Sequence, residues 1–513
     1  MKVESMKVQR WMRLAAMALA VGLAMLIASV AQAQANHYQL IVMGTFGGPN
    51  SNVTDTGVPG GVFLNNNGMF TGYADLAAPD PFQFPNDYCF IDCYIDHAFL
   101  WQGGFMTDLG VLPHGWSSAP VAISANGLIA GFAVNGEIDP LIPGFPEQRG
   151  VLWRNGRIRD LGMLPEGGYE AEAYSVNSSG QVAGTAFNKT SDPDTLGLII
   201  FNQIFSPTQA RAFLWEDGAM RDLGTLGGND AAAFLINEQG QVMGWSYTST
   251  TQASGEACQP VPLALGSFLW DEAHGMRNLG DFGGLCTQAN DLNNHGQVVG
   301  ASLLKGGVSG RAFLWQDGSL RELGGLPEWN TVAFAVNEAG QAAGAGAAPG
   351  AVFFDAVFWP QLGQRIDLGT IGTDPCSSAK AINIRGQVVG DSISLANCTT
   401  TGDASRAFLW QDGAIFDLNA LIPPGSPLYL VHPQNINDQG EIAGLGVDAD
   451  GNTHAFLLIP CDQNHPNMEG CDYGLVDPAE AARLSPAPVL AKAAVTHRRN
   501  PVWQMFRGRV DHP

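Results

Sequence analysis

Ala233-Phe234-Leu235-Ile236-Asn237-Glu238-Gln239-Gly240-Gln241-Val242-Met243-Gly244 decides how this chain folds, because its pattern returns along most of the sequence. After a variable loop the same unit continues with Ser267-Phe268-Leu269-Trp270 and then Met276-Arg277-Asn278-Leu279-Gly280. Asn237 suits the first position of a type I turn, and Gly240 takes the left-handed position that follows it. The segment, or a close variant, closes at Gly72, Gly131, Gly184, Gly244, Gly300, Gly344, Gly390 and Gly444, which gives eight copies. The second apolar element recurs as often, at Trp101, Trp153, Trp215, Trp270, Trp315, Trp359 and Trp410, with Leu458 in the eighth place.

Each unit parses into four short strands, A to D, with turn chemistry between the apolar segments. Asn155-Gly156, Asp217-Gly218, Asp317-Gly318 and Asp412-Gly413 supply two-residue hairpin turns between C and D. Strand C, as in Ala212-Phe213-Leu214-Trp215, is apolar on both faces and suits a sheet packed between neighbouring sheets. The ends of the repeat are permuted. Met43-Gly44-Thr45-Phe46-Gly47-Gly48 matches the D element and crossover of Met220 to Gly228, whereas the last unit stops at Ala455-Phe456-Leu457-Leu458 without a D strand. Pairing the first strand with the last unit leaves no unpaired sheet edge. The sequence therefore predicts an all-β, eight-bladed β-propeller of four-stranded antiparallel blades, closed by its N-terminal strand. An open β-solenoid is the alternative.

Composition bounds the partners. Of 513 residues, 14% are charged, against roughly 25% in an average soluble domain. The formal net charge of −23 repels nucleic-acid phosphates and anionic lipid, so neither is expected as a partner. Lys2, Lys7, Arg10 and Arg13 precede an apolar run from Leu14 to Val30 and the small-residue sequence Ala31-Gln32-Ala33, which is signal-peptide grammar. An uncleaved membrane anchor is the alternative. Removing residues 1–33, which carry a net +3, takes −23 to −26. The expected organisation is a signal peptide over 1–33, the propeller over 34–460 and a cysteine-containing segment with a basic tail over 461–513. The expected location is periplasmic or extracellular, with no membrane insertion after cleavage.

The element His97-Ala98-Phe99, repeated as His454-Ala455-Phe456, resembles the extracellular HAF-repeat family, and the likeness spans about Tyr38 to Pro460. Arg211, Arg311 and Arg406 stand where the family name has His, so the His is not a chemical group common to the units. The resemblance implies a secreted repeat protein without an established activity.

Phe, Leu, Trp, Ile, Asn and Gly at the repeated places have packing or turn roles, and the strand C tryptophans read as core instead of as sugar platforms. The strand D acids Asp108, Asp160, Asp222, Glu322, Asp367 and Asp417 are expected to pair across the C–D hairpin with Arg211 and its equivalents. Long B–C connections, roughly Tyr73 to Asp96, Phe132 to Gln148, Thr185 to Gln209 and Trp245 to Leu265, mark one face as the candidate binding face. Glu166, Glu170 and Glu172 form the densest carboxylate cluster and read as a solvated acidic loop before a hydrolase pair. Asp448-Ala449-Asp450-Gly451-Asn452 reads as a hairpin turn before a calcium loop. No catalytic, cofactor-binding or metal-ligating residue is assigned, and no Gly-x-Ser-x-Gly, His-Glu-x-x-His or phosphate-loop element is present.

All eight cysteines lie in the mature chain, and an oxidising compartment favours disulfides. Topology suggests Cys258 with Cys286 and Cys376 with Cys398, each pinning a long loop to a crossover, and leaves Cys89 with Cys93 and Cys461 with Cys471. Zinc on Cys461, His465 and Cys471 is the alternative for the last pair. From Ala481 the chain carries six Lys or Arg against Asp511 and is expected to be mobile. The resulting expectation is a monomeric, exported, non-enzymatic scaffold, without cofactor, binding an extracellular protein or polysaccharide through the long-loop face. A glycan hydrolase or lyase with carboxylates, or His97 and His114, at the central channel is the second reading. A structural envelope component is the third.

Overall fold

The computed structural model describes residues 33–53, 59, 61–81, 93–141, 145–192, 208–251, 263–306, 309–324, 330–348, 354–394, 398 and 405–486. Among them are six four-stranded antiparallel sheets, an eight-stranded sheet and a two-stranded sheet. The eight-stranded sheet is two consecutive four-stranded units, Gly227–Ile236 to Gly275–Asn278 and Gly283–Leu292 to Ser319–Glu322, joined by one parallel bridge between Leu265 and Cys286. The strands run A-B-C-D in each sheet. Successive A strands contact one another, so they form the inner wall of a β-propeller and the D strands its rim.

The turns follow the residues. In the fourth unit the Asn237 side-chain oxygen accepts from the backbone N–H of Gln239 (3.1 Å) and Gln241 (2.9 Å), while Gly240 adopts φ +74°. Asp217 and Gly218 at the C–D turn sit at φ 52° and 92°, as a type I′ turn requires. The Gly near the start of strand B is fixed by space. A Cβ on Gly244 would overlap the Ala232 carbonyl oxygen and the Phe268 ring, and one on Gly300 the Gln288 carbonyl. Next to that close approach strand A bulges by one residue, placing Val121, Tyr174, Phe234, Asn290, Phe334, Lys380 and Gln434 at equivalent positions.

Those bulged residues help fill the interior. Tyr174 packs edge-on against Phe234 of the next sheet at 5.6 Å, and Phe234 against Trp245 at 4.8 Å. All three belong to the largest buried cluster, which draws residues from seven of the four-stranded units. All seven strand C tryptophans are buried, the most exposed, Trp101, at 9%. The indole N–H of Trp153 donates to the Leu109 carbonyl at 3.1 Å, so the polar edge is also satisfied inside.

The first strand does not pair with its own sequence neighbours. Tyr38–Val42 lies antiparallel on Thr453–Pro460, with Tyr38 opposite Pro460 and Val42 opposite Phe456, and supplies the fourth strand of the last sheet. That sheet also meets the first one: Ala455 N–H donates to Ser51 Oγ at 3.3 Å, and Phe63 N–H to Asn435 Oδ1 at 2.7 Å. A belt of side-chain bonds runs from sheet to sheet through the A–B turns. Asn177, Asn237, Asn293, Asn337 and Asn383 each donate Nδ2 to the carbonyl of the next Asn, at 3.1, 3.1, 2.9, 2.8 and 3.0 Å. Asn437 donates to the Asn65 carbonyl at 3.0 Å, Asn65 to Ser124 at 2.9 Å, and Asn126 to Ser178 at 2.8 Å.

Two expectations need correction. The B–C connections are shorter than the sequence suggested, because strands B and C run past the repeat motif, as in Phe70–Pro79 with Tyr94–Gln102. The basic segment does not begin as a mobile tail, since Ala481 to Leu484 belong to helix Pro478–Leu484, capped by Asp477, which accepts from Glu480 N–H at 2.8 Å. No helix among the described residues is long and apolar enough to cross a membrane.

Candidate functional site

The long-loop face falls largely on residues outside those described, as does the N-terminal segment 1–32. Cys376–Cys398 and Cys461–Cys471 are disulfides; Cys93 and Cys286 are also disulfide-bonded, and Cys89 and Cys258 lie outside the described residues. The Cys461–Cys471 bond consumes the thiols a zinc site would need. His465 turns to Asp462 (2.8 Å) and Glu441 (3.6 Å) instead.

Sequence-selected side chains are mostly tied into structural contacts. The rim pairs His97–Asp108 (2.9 Å), Arg149–Asp160 (3.3 Å), Arg211–Asp222 (2.7 Å) and Arg311–Glu322 (3.5 Å) bridge C–D hairpins. The His97 hydrogen bond holds the Asp108 carboxyl below its ordinary pKa, against the opposing effect of burial. Two acids depart from the pattern. Arg406 pairs with Asp374 at 3.3 Å because Asp417 caps the short helix Leu418–Ala420. Asp367 meets Arg365 at 4.0 Å. The solvated reading of the acidic cluster is wrong for Glu170 and Glu172, which are buried at 1% and 3% exposure because they begin an inner strand. Glu172 accepts from Gln148 and from Tyr174 Oη. Asp448 is a turn residue: it accepts from the backbone of Asp450 (2.9 Å) and Asn452 (2.8 Å) and from His454 (3.3 Å).

A cleft of about 640 Å³ opens beside the last sheet. It lies between the crossover that follows Asp417, the first strand at His37 and Tyr38, and the segment from Gly470 to Pro486. The crossover keeps its path because Asn419 spends its whole amide on it, accepting from Leu430 N–H at 2.7 Å and donating to the Leu430 carbonyl at 3.0 Å. Ile422, Pro423, Pro424, Pro427, Leu428 and Leu484 make the cleft mainly apolar. Tyr38 and Tyr429 also line it. Burial, foremost, pushes both phenols above their ordinary pKa. Tyr429 is 8% exposed and its buried hydroxyl has no hydrogen-bond partner among the described residues. His37 and Asp472, 3.7 Å apart, stand at the polar end.

Sequence reading also passed over a polar group on strands A and B of the seventh unit and strand A of the last. Asp391, 1% exposed, faces His432 Nδ1 at 3.2 Å and Lys380 Nζ at 3.7 Å. The signal was present: Lys380 occupies the bulge position held by Tyr174 and Phe234, and Asp391 follows the closing Gly where Phe132 and Trp245 stand in other units.

No family model and no curated relative matches the chain. Among solved structures it is similar to the β-propeller domain of the Trilobed protease from Pyrococcus furiosus, with 12% identity and a TM-score of 0.39 over 70% of this chain and 97% of that one. It is also similar to the acylaminoacyl peptidase of Pyrococcus horikoshii, with 12% identity and a TM-score of 0.38 over 64% and 49% of the two chains. A third is dipeptidyl peptidase 4 of Porphyromonas gingivalis, with 8% identity and a TM-score of 0.37 over 69% and 54%. The chain thus spans about half the length of the latter two. The expectation of a non-enzymatic scaffold is corrected to this extent: the solved structures the chain is similar to come from peptidases, at a likeness that bears on the fold alone.

Proposed function

We propose that the chain is an exported, closed, eight-bladed propeller of the HAF-repeat type that takes an extended apolar polypeptide segment into the cleft beside its closing strand. Closure is supported by the Tyr38–Val42 pairing and by a belt of asparagine bonds that comes back to Asn65 after eight links. Export is supported by the signal-peptide grammar and by the disulfides.

The chemistry of the cleft carries the ligand class. Prolines and aliphatic side chains make its walls, while Asn419 and Asp448, the groups a sugar would engage, are already spent on the backbone. A polypeptide offers apolar side chains to such walls and backbone carbonyls to the unpartnered Tyr429 hydroxyl. The cleft, and not the likeness to peptidase propellers, supports this reading.

The test is fluorescence anisotropy on the mature protein with labelled Leu/Pro-rich peptides, and with neutral oligosaccharides as the contrasting probe. Leu484→Arg and Ser426→Trp occlude the cleft from partly exposed positions. Peptide affinity should fall at least about tenfold in both variants, ~1.4 kcal/mol. Saturable binding of oligosaccharide alone, or peptide binding unchanged by both substitutions, would overturn the proposal.

A further inference from the structure

The polar group of Lys380, Asp391 and His432 lies apart from the residues that line the cleft. In five of the other units the residues matching Lys380 and Asp391 are apolar or uncharged pairs: Val121 with Phe132, Tyr174 with Thr185, Phe234 with Trp245, Asn290 with Ala301 and Phe334 with Ala345. Among the described residues only the seventh unit places a cation and an anion there. Burying charge at a position that tolerates Phe or Val is costly, so these groups are held against the trend of the fold.

Their pairing is incomplete. Asp391 has both oxygens engaged, by His432 at 3.2 Å and Lys380 at 3.7 Å. The Lys380 ammonium, with its side chain 26% exposed, has that one ion pair, outside hydrogen-bond reach, and donates to no described residue. Ser378, directly opposite Asp391 in the sheet, is 2% exposed, and its buried hydroxyl has no hydrogen-bond partner among the described residues. An ammonium and a hydroxyl therefore stand beside Asp391 with unmet donors.

We propose that Lys380 and Ser378 bind a carboxylate, with Asp391 and His432 holding the ammonium in place. Asp391 selects the charge of the guest: it offsets Lys380 and repels a second negative charge, which disfavours phosphate and sulfate against a monoanion. A planar carboxylate accepts from the ammonium with one oxygen and from the hydroxyl with the other. Free small organic acids and the C-terminal carboxylate of a polypeptide share this chemistry.

Calorimetric titration of the mature protein separates them, using acetate in one arm and a short peptide as free acid or C-terminal amide in the other. Acetate binding identifies a free acid as guest; binding of the free-acid peptide alone identifies a chain terminus. Lys380→Met, which restores an apolar side chain, should weaken either at least about tenfold, whereas Lys380→Arg keeps it. Leu484→Arg should leave carboxylate binding unchanged, so failure of the cleft reading does not decide this one. Should Lys380→Met not fold, protection of Lys380 from acylation by the same probes, read by mass spectrometry on the unaltered chain, serves instead. No saturable binding of either probe, unchanged binding by Lys380→Met, or no protection overturns the proposal.

Discussion

Replacing Asn437 by Ala, beside the same change at Asn337, asks whether the last sheet is joined to the first as firmly as interior sheets are joined to each other. The two asparagines make matching bonds. Asn337 donates to the Asn383 carbonyl (2.8 Å) and Gln341 (2.8 Å) and accepts from the N–H groups of Ala339 (3.0 Å) and Gln341 (2.9 Å). Asn437 donates to the Asn65 carbonyl (3.0 Å) and Glu441 (2.5 Å) and accepts from Gln439 (3.0 Å) and Glu441 (2.9 Å). Ala removes all four bonds in each case and leaves the inter-sheet carbonyl buried without its donor. At about 1 kcal/mol per bond, with water replacing some of the turn bonds, each substitution costs ~2–4 kcal/mol. At ~2.1 cal/mol/K of unfolding entropy per residue, a unit spanning 34–460 loses ~2–4 °C of Tm for that cost. Calorimetry on both variants should give shifts that agree within about 1 °C, by the same scaling. If the seam were open, Asn437→Ala would lose only its turn bonds, and a shift half that of Asn337→Ala or less would refute the reasoning.

Gly300→Ala drives a Cβ into the Gln288 carbonyl and should cost at least ~3 kcal/mol, whereas Gly318→Ala, at φ +80° with open space around it, should cost only ~1 kcal/mol in denaturant unfolding. Burial, against the N–H bonds of Val336 and Leu292, pushes the Asp291 carboxyl up to about 6, with Glu338 adding to the rise. The native state then holds a proton that the unfolded chain releases near pH 4, so stability is greatest below about 4 and falls as pH climbs through 6. Asp291→Asn should flatten that part of the Tm–pH curve, and an unchanged slope would assign it to other groups. Replacing Cys461 and Cys471 together by Ser opens a bond of sequence separation 10, costs ~3 kcal/mol by loop entropy, and should weaken peptide uptake because Gly470 and Asp472 border the cleft.

Much of this architecture is legible residue by residue, because one local pattern is written out repeatedly. Asn237 with Gly240 fixes the A–B turn, Asp217 with Gly218 the C–D turn, and the missing last D strand points to Tyr38–Val42. The Arg211–Asp222 hairpin pair follows from strand register alone. Arg406 escapes the same logic, since its expected partner Asp417 is diverted by a crossover whose path depends on Asn419 and Leu430. The cleft is illegible for a related reason: His37, Pro423 and Leu484 are far apart in sequence and carry no repeat signature. Lys380 and Asp391 could have been found by reading each unit for its departures from the others. Glu170 and Glu172 mislead because a charged dipeptide pattern resembles a loop until the strand register places it inside.

Single-particle electron microscopy of the mature protein tests the central claim most directly. The account predicts a disc of eight radial lobes without a gap, with the cleft bordering the lobe that receives the first strand. A gap between the first and last lobes, an elongated stack, or any other lobe number would contradict it.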